Sequence, residues 1–153
     1  VSPTGGTWLA AFSFDGMPHR FHILHVEDDD LDALNVQRFL KSNDQVSGVT
    51  CARDGVEALE ILRSGELPLS NLVTLLDIRL PRMSGLEFLR ELRADPDLRH
   101  LPVVVLSTSD DEGDMGTAYA LNVAGYLVKP LSMERLRNCL GAFAQYWSSQ
   151  ELL

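Results

Sequence analysis

The sequence predicts an α/β domain in which five strands alternate with five helices to form a doubly wound, parallel sheet. Three observations lead there. Runs such as Leu72-Val73-Thr74-Leu75-Leu76 and Val103-Val104-Val105-Leu106 are almost continuously apolar, as strands covered on both faces must be. Between such runs, apolar residues recur at three- and four-residue spacing, the period of a helix with one buried stripe. The two patterns alternate, and right-handed crossovers then place helices on both sides of the sheet.

The elements follow in chain order. Residues 1–20 read as an N-terminal extension in which breaker sequences, Val1-Ser2-Pro3-Thr4-Gly5-Gly6 and Asp15-Gly16-Met17-Pro18, flank an apolar patch from Trp8 to Phe14. Residues 21–153 form the domain. Phe21 to Val26 is the first strand; the helix after it carries Leu31, Val36, Phe39 and Leu40, with Asp29 or Asp30 as N-cap. Val46 to Cys51 is the second strand, and Asp54-Gly55 turns into a helix with Val56, Leu59, Ile61 and Leu62 that stops at Ser64-Gly65. After the third strand, Leu72 to Leu76, a helix starts near Ser84 and buries Leu86, Leu89 and Leu92. Leu101 to Leu106 is the fourth strand, with Pro102 near its start, where a missing donor is tolerated. A polar helix from Asp110 to Leu121, a short strand from Gly125 to Val128 and a last helix from Ser132 to Trp147 complete the series.

Composition narrows the function. A chain of 153 residues, 45% of them hydrophobic, can bury one good core. Thirteen basic against 22 acidic residues give a formal charge of -9, which argues against a nucleic-acid groove or an anionic membrane surface as partner. No apolar run approaches the roughly 18 residues of a membrane span. Cys51 and Cys139 have no CxxC or metal-ligand spacing, so free thiols in the cytoplasm are expected. His19, His22 and His25, three apart on an extended segment, scatter over both faces and make a poor metal site. Met83, Met115 and Met133 read as packing residues, and no glycine spacing matches a dinucleotide or P-loop motif.

In an open parallel sheet, chemistry collects at the carboxyl ends of the strands. Here those ends carry Glu27 and Asp28, Asp77, Ser107 and Lys129. Asp77 is a candidate nucleophile, because a carboxylate can accept a phosphoryl group as an acyl phosphate. Glu27 and Asp28 make with it a like-charged cluster that a hard divalent cation such as Mg²⁺ relieves through oxygen ligands. Lys129 offers a positive charge, and Ser107 a hydroxyl, to phosphoryl oxygens. Each residue alone has a plain structural explanation; acidic residues before a helix favour its dipole, and Asp29 and Asp30 are read that way. Their joint occurrence at four strand ends is what points to a phosphoryl site.

Val26-Glu27-Asp28, Asp77 within Asp-x-x-x-Pro-x-Met-x-Gly, Leu106-Ser107-Thr108-Ser109 and Gly125-Tyr126-Leu127-Val128-Lys129-Pro130 together resemble the receiver domain of two-component response regulators, over residues 21–147. The resemblance implies a flavodoxin-like sheet of strand order 2-1-3-4-5. It implies Asp77 as phosphoacceptor, and Mg²⁺ held by Glu27, Asp28, Asp77 and the backbone carbonyl of Arg79. Ser107 would be a hydroxyl switch, Lys129 the phosphate contact, and Tyr126 an aromatic switch that turns inward. The chain is similar to single-domain regulators paired with phytochrome-type sensor histidine kinases. That likeness implies such a kinase as phosphoryl donor and a protein-binding surface as output. A homodimer through the fourth helix, fifth strand and fifth helix is expected, and the aromatic end of the last helix from Ala142 to Trp147 suits a contact surface. Such a protein assists its own phosphorylation and dephosphorylation without being an enzyme.

Two other classes compete. An aspartyl phosphohydrolase wants a second acid two residues after its nucleophile, where this chain has Arg79. A pseudo-receiver, binding proteins independently of phosphorylation, would not need Glu27, Asp28, Asp77 and Lys129 all intact. Glu27 stands where the family more commonly has aspartate. The Arg79 side chain is expected to pair with Glu27 or lean over the site and slow the attack of water on the acyl phosphate.

Overall fold

Strands and helices alternate throughout the computed structural model, which describes residues 20–130 and 132–152. They run β1 (Phe21–Val26), α1 (Asp30–Lys41), β2 (Val46–Ala52), α2 (Gly55–Ser64), β3 (Leu72–Leu76), α3 (Gly85–Ala94), β4 (Val103–Ser107), α4 (Glu112–Ala120), β5 (Gly125–Val128) and α5 (Met133–Leu152). All neighbouring strands are parallel, in the order β2-β1-β3-β4-β5, so the expected topology is the observed one. The N-terminal extension expected over residues 1–20 lies outside the described residues apart from Arg20, as do the side chains of Tyr146 and Trp147.

Two cores form, one on each face of the sheet. Leu24, Val26, Leu72, Leu76, Val103 and Val105 pack with α2, α3 and α4. Phe21, Ile23, Val73, Leu75, Val104 and Leu106 pack with α1 and α5. Alternate residues of each strand therefore face opposite layers, and that is why the strand sequences are apolar at nearly every position. His22 and His25 point to opposite faces, as their spacing requires; His22 shares a hydrogen bond with Thr50 across β1 and β2.

Helix ends follow the residue chemistry. The side chains of Asp29, Asp54, Ser84 and Asp111 each accept a backbone N–H at the start of α1, α2, α3 and α4. Ser84 and Glu87 complete a reciprocal capping box. Gly65 ends α2 at φ 82°, in the left-handed region where glycine is favoured. Arg93, near the end of α3, donates to the carbonyls of Leu121 (2.8 Å) and Asn122 (3.1 Å) after α4, and to those of Arg99 and Leu101 before β4.

The structure shifts some boundaries. β4 begins at Val103, not Leu101, because Pro102 contributes only its carbonyl, to the Thr74 N–H at 3.1 Å, and the ladder instead runs on through Ser107. α5 continues past Trp147 to Leu152, since no glycine or proline interrupts the sequence there. Leu31 is 66% exposed, whereas Val36 and Leu40 are the buried residues of α1.

Candidate functional site

The strand ladders align the ends that carry chemistry. Leu76 pairs with Val26 on one side and Val105 on the other, while Ser107 pairs with Val128, so residues 27, 77, 107 and 129 leave the sheet along one edge. Backbone bonds carry the alignment one step further. The N–H groups of Asp77, Glu27 and Lys129 donate to the carbonyls of Val26 (3.1 Å), Ala52 (2.9 Å) and Ser107 (2.8 Å). The chain then folds back sharply, and the Gly85 N–H donates to the Ile78 carbonyl at 2.8 Å. A Cβ on Gly85 would strike the Asp77 carbonyl oxygen and lie 2.6 Å from the Ile78 Cα, so glycine lets α3 start directly against the end of β3.

Asp77, at the end of β3, is only 8% exposed. Its Oδ1 accepts the Ser107 hydroxyl at 3.2 Å and the Arg79 N–H at 3.1 Å, and its Oδ2 lies 3.6 Å from the Lys129 ammonium. Lys129 Nζ donates to Glu27 Oε1 at 2.6 Å and to Asp32 Oδ2 at 3.1 Å. Burial works against the charge of Lys129, but the Glu27 and Asp32 carboxylates outweigh it and hold the ammonium above its ordinary value. Burial pushes Glu27 up to about 7, against the lowering effect of Lys129.

Glu27, Asp28 and Asp77 each offer a carboxylate oxygen, all within 4.8 Å of one another. A hard oxygen donor set with excess negative charge, part of it buried, fits Mg²⁺ or Mn²⁺ and not a thiophilic metal. Every side chain predicted for the site is therefore assembled at one edge. Tyr126 lies on the same side, 6% exposed, with its hydroxyl donating to the Ser109 carbonyl at 2.8 Å. Of the two placements expected for the Arg79 side chain, pairing with Glu27 is not the one observed: its guanidinium lies 3.7 Å from the Asp114 carboxylate, which α4 presents to the loop after β3.

Three contributions escaped the sequence reading. Asp32 binds Lys129 across 97 residues of chain; its place in the first turn of α1, just after the acidic pair, was the available signal. Ser109 links Ser107 to Tyr126 and α4, its N–H donating to Ser107 Oγ (3.2 Å), its carbonyl accepting from the Tyr126 hydroxyl and its own hydroxyl donating to Asp114 Oδ2 (2.7 Å). His25 is buried beneath the site with Nδ1 unpartnered, and burial together with the Lys129 charge brings its pKa down to about 4, so it is neutral there.

A parallel sheet of order 2-1-3-4-5 with three acids, a hydroxyl and a lysine at its carboxyl edge defines a class, and the chain belongs to it: it is a member of the response regulator receiver domain family, whose model matches residues 23–140. Among its relatives are response regulator Rcp1 of Synechocystis sp., 38% identical over 129 residues (82% of this chain, 87% of Rcp1), and the probable methanogenesis regulatory protein FilR2 of Methanothrix harundinacea, 38% identical over 130 residues (83% of each). Among solved structures, the phosphorylated cyanobacterial phytochrome response regulator RcpA is 34% identical with a TM-score of 0.70, covering 86% of this chain and 96% of that one. The Mn²⁺-bound form of Rcp1 is also 34% identical, with a TM-score of 0.68, over 83% of this chain and 94% of the other. Among the described residues no helix is long and apolar enough to cross a membrane.

Proposed function

We propose that this protein accepts a phosphoryl group on Asp77 from a sensor histidine kinase and relays the event through a protein-binding surface. The observation that carries this reading is the placement of Asp77: buried, clustered with the metal-ligand candidates Glu27 and Asp28, with the Ser107 hydroxyl 3.2 Å from its Oδ1 and the Lys129 ammonium 3.6 Å from its Oδ2. A carboxylate oxygen of Asp77 forms a bond to phosphorus as the phosphorus–nitrogen bond of a phosphohistidine breaks, and the leaving imidazole takes up a proton. Lys129 and Ser107 contact two of the phosphoryl oxygens. Glu27, Asp28, Asp77 and the Arg79 carbonyl would hold Mg²⁺, which would supply positive charge to offset that of the transferring group.

The added charge draws Ser107 and Lys129 inward. Ser109 connects Ser107 to Tyr126 and α4, so Tyr126 serves as the aromatic switch and the face built by α4, β5 and α5 as the output. Residues 21–153 constitute the receiver and residues 1–20 an extension. The protein acts in the cytoplasm, as a homodimer through that α4-β5-α5 face. The likeness to RcpA supports a phytochrome-type kinase as the donor.

Incubation with acetyl phosphate and Mg²⁺, followed by intact mass measurement, tests the proposal. We expect one phosphoryl adduct, absent in Asp77→Asn. Fast turnover of acetyl phosphate with no adduct accumulating would instead indicate a phosphohydrolase, and neither adduct nor turnover would indicate a phosphorylation-independent interaction module.

A further inference from the structure

The ammonium of Lys129 has three N–H donors and three carboxylates around it, those of Glu27, Asp32 and Asp77. Two of the three, Glu27 and Asp77, also belong to the acidic cluster that fits a divalent cation. Asp32 does not. Its carboxylate comes from α1, 3.1 Å from the ammonium, beside a cavity of about 260 Å³ lined by Asp32, Asn35, Val36, Lys129, Pro130 and Met133.

This arrangement sets up a competition. The Lys129 side chain is 11% exposed, and a charge so enclosed needs a counter-charge. Once a cation occupies Glu27 and Asp77, those oxygens no longer serve the lysine in full. Asp32 is the partner that remains. We infer that Asp32 is a positioning residue: it holds Lys129 when the cation claims Glu27 and Asp77, and so keeps the lysine from competing for the metal ligands while leaving it within reach of an incoming phosphoryl group. This rests on the proposed metal and phosphoryl site. It differs from a general charge effect, because it acts only through Lys129.

The test is Mg²⁺ affinity measured by titration calorimetry on the full chain. In Asp32→Asn, Lys129 has to lean on Glu27 and Asp77, and we expect the Mg²⁺ dissociation constant to rise about fivefold, the scale of a partly exposed charged contact. Asp32→Glu should restore most of that affinity. Asp30→Asn provides the charge control: it removes a carboxylate from the same turn that pairs with Arg53 at 2.5 Å and not with Lys129, and should change affinity less than about twofold. In a Lys129→Met background, Asp32→Asn should then do no more than Asp30→Asn. The inference is overturned if Asp32→Asn matches the Asp30→Asn control, or if its effect persists undiminished without Lys129. Thermal unfolding of each variant separates lost affinity from lost fold. If wild-type Mg²⁺ binding survives Asp28→Asn unchanged, the underlying site reading is what has failed.

Discussion

Glu27 is the residue on which burial and function pull in opposite directions. Buried beside Asp77, it titrates near 7 without a cation, so an ion entering the site has to displace a proton from it. Mg²⁺ binding should therefore tighten as pH rises through about 7, with roughly one proton released per ion below that pH. Calorimetry in buffers of different ionisation enthalpy measures the release, and Glu27→Gln should abolish it. The sign for stability follows from the same shift. A carboxyl raised from 4.5 to about 7 contributes fully below 4.5 and loses its contribution as pH climbs through 7, so metal-free wild type should weaken over that window more than Glu27→Gln does. At this scale the sequence was informative wherever chemistry depends on position along a strand: Ser107 ends a recognisable strand, and Glu27, Asp28, Asp77 and Lys129 each follow one. Asp32 and Asp114 were not legible, because their partners come from other elements and a helix residue's direction depends on how that helix is docked.

At the scale of elements, the junction of β3 and α3 controls the site. Gly85 permits a close backbone approach to the Asp77 carbonyl, and its N–H bonds the Ile78 carbonyl where the capped helix starts. Gly85→Ala should force α3 away from the strand end, destabilising the fold by about 2–3 kcal/mol, as overpacking at a rigid contact does. Chemical denaturation measures that loss, and acetyl-phosphate labelling under native conditions should show slower modification of Asp77. An alanine variant with wild-type stability and labelling would refute the contact's importance. The helix starts were readable because Asp54 and Ser84 are N-caps by composition alone, and the left-handed stop at Gly65 likewise. The start of β4 was less so: whether Pro102 opens a strand or precedes it depends on which neighbour its carbonyl meets, and that is a tertiary fact.

For the whole molecule, the proposed assembly turns on α4 and its surroundings. Only Ala118 of that helix is fully buried, and Tyr119 is 51% exposed beside Tyr126, with ring centroids 6.5 Å apart. A stable interface requires about 800 Å² from each partner, more than one aromatic supplies, so Tyr119 would act as an anchor within a larger face. Sedimentation at tens of micromolar should show a dimer that Tyr119→Ala weakens. A monomer with and without an acyl-phosphate mimic would remove the dimer from the account. The parallel sheet with helices on both faces was recoverable from alternation of patterns, and its strand order only through the family resemblance, whereas an interface has no period to betray it. Arg93 adds a last consequence. Its guanidinium fastens the Leu121 end of α4 to the segment before β4, while the opposite end depends on Ser109 and Asp114. A disturbance arriving from Ser107 would then swing the helix like a lever on a fixed pivot, with the widest arc beside the pocket and almost none at the far tip.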